Sequence, residues 1–221
     1  MLKANRRSTL KLLGGAALTA GALPSLVLPA AAQQDLYVAS SYQNFKRGTI
    51  NSMHPEARSF TIVWDDLGRV KLKAADLVAN EGSSGRGNAF AQLKPGQTVD
   101  VQWYDYVDFL IAPKTAASSA QAQALVAKGA RIEGIPGAKE RIKLWEMDGM
   151  VTKVDPANSQ IFLIYKSGGE AEKPSPNAGE VIQMPRIVSP AGKAAMASLK
   201  QGDEVVTVYS QQTALNVKII R

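Results

Sequence analysis

From Ser59 to Trp64 the chain alternates, with Phe60, Ile62 and Trp64 on one side and Ser59, Thr61 and Val63 on the other. A period of two predicts a half-buried β-strand. The same alternation returns at Val99, Val101 and Trp103 against Asp100 and Gln102. Three further strands are predicted: one before the Pro55 turn, one in "GRVKLKAADL" (residues 68–77) and one in "DFLIA" (residues 108–112). "NAFAQLKPG" between them reads as a helical turn, because Pro-Gly cannot continue a helix. The predicted order is strand, strand, strand, short helix, strand, strand.

The pattern then occurs a second time. "GTINSMHPEARSFTIVW" from Gly48 and "GMVTKVDPANSQIFLIY" from Gly149 align without a gap at an offset of 101. Gly48 meets Gly149, Pro55 meets Pro156, and Trp64 meets Tyr165. Further on, Leu93-Lys94-x-Gly96 matches Leu199-Lys200-x-Gly202 at an offset of 106, with Val99 on Val205. A fixed period of this kind marks an internal repeat. The expected organisation is mainly β: a first repeat over residues 33–112, a linker over 113–144 and a second repeat over 145–221. "ALNVKII" is the expected last strand of the second repeat. In the linker, Ser118 to Lys128 is rich in Ala and Gln, lacks Gly and Pro, and predicts a helix stopped at Gly129.

The two repeats differ on one face. The residues alternating with the core set are Thr61, Val63, Asp100 and Gln102 in the first and Phe162, Ile164, Val206 and Val208 in the second. Four apolar side chains left together in water are unfavourable, since burying each contributes roughly 1.5–3 kcal/mol. That face of the second repeat is expected to be covered, by this chain or by a partner.

Residues 1–32 have a basic start, a Leu/Ala/Gly middle and a small-residue end, the pattern of a cleavable export signal. Arg6-Arg7 followed by Leu10 and Lys11 resemble a twin-arginine signal, and Ala30 and Ala32 supply the A-x-A cleavage site. Thr9 stands where that motif prefers a bulky apolar residue. Glycines and Pro24 interrupt the apolar stretch, so no membrane span is expected after cleavage. The implied destination is the periplasm.

This leader also changes the charge balance. It holds Lys3, Arg6, Arg7 and Lys11 and no acid, so the formal +7 falls to +3 for residues 33–221. That leaves little to attract nucleic acid. With no cysteine in the chain, disulfides, thiolate metal sites and cysteine nucleophiles are excluded.

Candidate chemistry is sparse. The single histidine, His54, follows Met53, and thioether plus imidazole would suit Cu(I). A periplasmic metal carrier using Met53 and His54 is therefore the alternative reading. Against it, His54 aligns with Asp155 before a Pro turn, and Met53 aligns with Val154. The other cluster is "WYDYVDF", which places Trp103, Tyr104, Asp105, Tyr106 and Asp108 where the fourth strand gives way to the fifth. Aromatic faces with two carboxylates could hold a ligand; the competing interpretation is a hairpin whose aromatics fill the core. With no cofactor or catalytic set implied, the expectation is a non-enzymatic module for an unknown protein or small ligand.

The predicted order of elements resembles the OB-type small barrel, whose loop between strands four and five borders a ligand face. Together with the leader, the chain resembles bacterial exported proteins with tandem small β-barrel repeats, a group that includes many members of unknown function. The resemblance rests on Gly48, Gly149 and the two L-K-x-G steps. It implies two barrels joined by a helical linker.

Overall fold

The structure, a computed structural model, describes residues 36–66, 68–79, 89–132, 141–170 and 176–220. The leader residues Arg6, Arg7, Ala30 and Ala32 lie outside them. The fold is mainly β, as the alternation predicts. The first repeat supplies β2 (Gln43–His54), β3 (Ser59–Trp64), β4 (Gly68–Ala79), β5 (Thr98–Tyr104) and β6 (Asp108–Pro113) after a two-residue strand β1 (Tyr37–Val38). A helix α1 (Ala116–Lys128) and two short strands, β7 (Ala130–Ile132) and β8 (Arg141–Ile142), follow. The second repeat supplies β9 (Leu144–Asp155), β10 (Gln160–Gly168), β11 (Val181–Gln183), helix α2 (Pro190–Ser198), β12 (Glu204–Ser210) and β13 (Thr213–Ile219).

The repeat is visible in local geometry. β2 and β9 begin and end at residues 101 apart, and β5 and β12 at residues 106 apart. Both Pro turns close in the same way, with Arg58 N–H donating to Pro55 O and Ser159 N–H to Pro156 O. Arg58 and Ser159 both adopt positive φ. Gly48 and Gly149 lie where the first strand crosses closely over the second. A Cβ would stand 2.7 Å from Trp64 Cε3 at Gly48 and 2.8 Å from Leu163 Cβ at Gly149. Gly96 and Gly202, with φ of 87° and 93°, make the turn of each L-K-x-G step.

The last strands do not stay with their own repeats. A closed barrel forms in the order β13-β4-β3-β2-β5, and an open five-stranded sheet in the order β11-β10-β9-β12-β6. β13, from the second repeat, runs parallel to β4 and antiparallel to β5. β6, from the first, runs antiparallel to β12. Two closed barrels, each from one stretch of sequence, were expected; one closed barrel and one open sheet are found, with the fifth strands exchanged. Asp35–Arg221 accordingly groups as one unit.

The barrel is filled by Ile50, Phe60, Ile62, Trp64, Leu72, Val99, Val101, Trp103 and Val217. Trp64 and Trp103 stack with centroids 5.8 Å apart. A 3-10 turn at Ala89–Gln92 places Phe90 and Leu93 against this core. In the open sheet the equivalent Met196, in α2, and Leu199, at its C-cap, pack on Ile161, Leu163, Val205 and Tyr209.

The opposite face of the open sheet is covered in part. α1 packs on β12, β9 and β6, with Ser118 and Ala122 buried at the contact. Val206 and Val208 are fully buried within the chain, which removes them from the contact surface expected for a partner. Phe162 and Ile164 remain half-exposed on β10, and Lys153 lies over the Phe162 ring. On the barrel, Val63 is exposed and Asp100 and Gln102 are half-exposed, whereas Thr61 is buried.

Candidate functional site

The "WYDYVDF" segment is the point where strands cross between the sheets. Residues Asp105 to Val107 run beside Ser210 to Gln212, the two connections before the exchanged strands. Val107 N–H donates to Ser210 Oγ at 2.8 Å, and Ser210 N–H returns to Val107 O at 2.8 Å. Gln212 Nε2 donates to Asp105 Oδ1 at 2.7 Å. Two short polar links thus satisfy one another's backbone groups, as buried crossings must.

This crossing disperses the five candidate residues. Trp103 and Tyr104 are buried in the barrel, and Gln43 Nε2 donates to Tyr104 Oη at 2.9 Å. Asp105 is exposed and holds the crossing. Asp108 is buried at the base of α2. Its Oδ1 accepts from Val188 N–H at 2.7 Å and Ser189 N–H at 2.9 Å, and its Oδ2 accepts from Ser189 Oγ. Ser189 is the N-cap of α2, accepting from Gly192 N–H. Asp108 therefore fixes a helix start from an exchanged strand, with negative charge at the end of the helix that favours it. Of the five, only Tyr106 lines a concavity of the open sheet.

That space is a concavity of about 450 Å³ on the open sheet, walled by Tyr106, Trp145, Met147, Ile182 and Met184, with Glu170 at its edge. Tyr106 and Trp145 meet edge to face at 84°, with centroids 6.1 Å apart. Trp145 stacks on Tyr209 behind it and donates Nε1–H to Ser210 O at 3.2 Å. Tyr106 Oη donates to Glu170 Oε2 at 3.2 Å. Burial first, and then the Glu170 carboxylate, push the Tyr106 phenol well above its usual range, so it stays a donor. Trp145 gave no signal in the sequence because it is an ordinary strand residue on its own, and Met147 and Met184 offer there only thioethers that could as well fill a core. The one available signal was the set of prolines around the third strand, Pro174 and Pro176 before it and Pro185 after it.

A second concavity, of about 440 Å³, lies on the outer face of the barrel across β2, β5 and β13. Phe45, 74% exposed, stands beside Arg47, which pairs with Asp100 through Nε–H at 2.6 Å and an Nη2–H at 2.8 Å. Within it Arg47 and Asp100 satisfy one another, and Lys46 pairs with Asp66 beside it.

His54 ends β2, opposite Ser59, at the edge of the Pro turn. Its Nε2 lies 3.2 Å from Ser52 Oγ and 3.4 Å from Thr61 Oγ1. Met53 packs against the barrel core. Among the described residues no three His, Cys, Asp or Glu side chains come together. No helix of the described residues is long and apolar enough to cross a membrane. No family model matches the chain, and no curated protein matches it.

Proposed function

We propose that this chain is an exported, non-enzymatic binding module of two OB-like repeats that share their fifth strands, and that its ligand site is the concavity of the open sheet. The observation that carries the reading is that concavity. Among the described residues it is lined by aromatic and thioether side chains beside the Glu170 carboxylate, the usual make-up of a small-ligand site. The OB-type assignment is supported by the barrel order and by the parallel pairing of β4 with β13 among otherwise antiparallel barrel strands. Export rests on the leader pattern of residues 1–32, and the periplasm is the destination that pattern implies.

Native mass spectrometry of the protein purified from the periplasm tests the reading. A bound small molecule is expected, and Gln183→Trp, which places an indole at the exposed edge of the concavity, is expected to remove it. Retention of the same ligand by Gln183→Trp would place the site elsewhere.

A further inference from the structure

We propose that the outer face of the barrel binds a neutral pyranose sugar, in the concavity across β2, β5 and β13. This goes beyond the ligand site assigned to the open sheet and stands independently of it. Strand register brings the lining side chains into two rows. Phe45, Gln102 and Asn216 are direct neighbours across the three strands, and Arg47, Asp100 and Lys218 form the next row on the same face. Two strand spacings set Phe45 and Asn216 about 10 Å apart.

The first row points to a ligand. Asn216 is half-exposed and lines the concavity, yet its Oδ1 is buried and has no hydrogen-bond partner among the described residues. A buried acceptor without a donor is unfavourable, and turning this amide outward to a ligand hydroxyl relieves it. At the other end of the row Phe45 is 74% exposed. Between them the Gln102 amide is fixed in place. It donates to Gln43 Oε1 at 2.5 Å, and Gln43 Nε2 donates to Tyr104 Oη at 2.9 Å.

The second row narrows the class. Arg47 grips Asp100 through two N–H groups, and Lys218 adds its charge beside the same carboxylate. Lys46 is paired with Asp66. An anionic ligand would have to part these pairs. The bidentate pair retains further guanidinium donors and carboxylate lone pairs, which suit adjacent hydroxyls. A peptide strand finds no edge here, because β2, β5 and β13 are all paired within the closed barrel. A pyranose ring uses both rows. Its C–H face lies on Phe45, whose ring face is the negative part of its quadrupole. Its hydroxyls meet the Gln102 and Asn216 amides and the Arg47–Asp100 pair.

The experiment titrates cellotriose, N,N′,N″-triacetylchitotriose and the open-chain polyol sorbitol into the isotopically labelled full chain. At least one trisaccharide is expected to move the side-chain amide signals of Gln102 and Asn216 saturably, and sorbitol is not. Phe45→Ala, at an exposed side chain, is expected to weaken the sugar at least about five-fold and preserve the rest of the spectrum. Asn216→Ala is expected to weaken it at least about five-fold without lowering the melting midpoint, since it removes an acceptor that has no donor. The proposal is overturned if neither trisaccharide moves those signals, if sorbitol binds equally, or if both variants bind as tightly as the parent. Gln183→Trp is expected to leave the sugar unaffected. Loss of the sugar in Gln183→Trp but not in Phe45→Ala would move it to the open sheet, overturning this site and leaving the other.

Discussion

In the barrel, β4 is a 12-residue strand that reaches β13; in the open sheet its counterpart β11 has three residues and reaches no fifth strand. The rest of the framework is shared, down to the turn and close-approach residues. Proline accounts for the difference. "GRVKLKAADLVA" has none, whereas Pro174 and Pro176 precede β11 and Pro185 follows it. A residue without an N–H cannot extend a ladder. The barrel closes and buries two stacked indoles. In the open sheet, α2 and the Met184–Ile187 stretch cover the inner face, and the unclosed side leaves the concavity. The lesson is that a third strand too short to close the sheet turned one copy of a structural unit into a candidate binding site.

The same comparison holds on the opposite faces. Phe45 and Arg47 stand exposed on the barrel, while the equivalent Glu146 and Asp148 lie beneath the α1 side of the open sheet, with Lys114 Nζ 2.5 Å from Asp148 Oδ2. The covering of Val206 and Val208 by α1 thus draws carboxylates into a partly dry setting.

The strongest way to break the comparison is to remove β13. Truncation after Gln212 should open the barrel although it deletes only second-repeat residues, at a cost of about 5 kcal/mol or more, comparable to a whole domain's stability. Thermal melts and amide exchange would measure it; unchanged protection of Ile62 and Val101 would mean the strands are not exchanged. Halves divided within residues 133–140 should likewise fold only when coexpressed.

Phe60→Ala, in the barrel, should cost about 3–5 kcal/mol. Phe162→Ala, half-exposed on the open sheet, should cost about 1 kcal/mol or less. Urea denaturation distinguishes them, and equal costs would show that β10 is covered as fully as the barrel core.

Asp108→Ala should cost about 1–3 kcal/mol by stranding the Val188 and Ser189 donors. Asp105→Ala, at the exposed crossing, should cost under about 0.5 kcal/mol. Reversal of that order would place the anchoring carboxylate at the crossing instead of at α2.

The smallest effect concerns Glu146. Burial first, and then Asp148, hold its carboxyl above the usual carboxylate value. The folded chain therefore binds this proton more tightly than the unfolded chain. The resulting penalty is full above the raised folded value and disappears as pH falls below the ordinary one. Glu146→Gln should thus raise the melting midpoint at neutral pH, with the gain shrinking in acid. A gain that grows on acidification would reverse the assigned direction.

Much of the site was beyond a sequence reading. The strand alternation located β3, β5 and β6, and the repeat explained His54 as a turn-edge residue equivalent to Asp155. The aromatic cluster read as one site because its members are adjacent in sequence. Exchange of the fifth strands sends Trp103 and Tyr104 into one core, and Tyr106 and Asp108 to the other sheet. No local pattern distinguishes a fifth strand that returns to its own sheet from one that crosses, since both bury the same apolar face.

The sequence by itself determined the duplication, the strand positions, and the glycines at Gly48, Gly149, Gly96 and Gly202, because period, steric clearance and φ are local properties. Only the tertiary structure decided which sheet receives β6 and β13, that α1 rather than a partner covers Val206 and Val208, and that Tyr106, Trp145, Met147 and Met184 face one space. Those outcomes depend on which long-range pairings bury the most surface together, and such pairings join residues up to 100 or more positions apart.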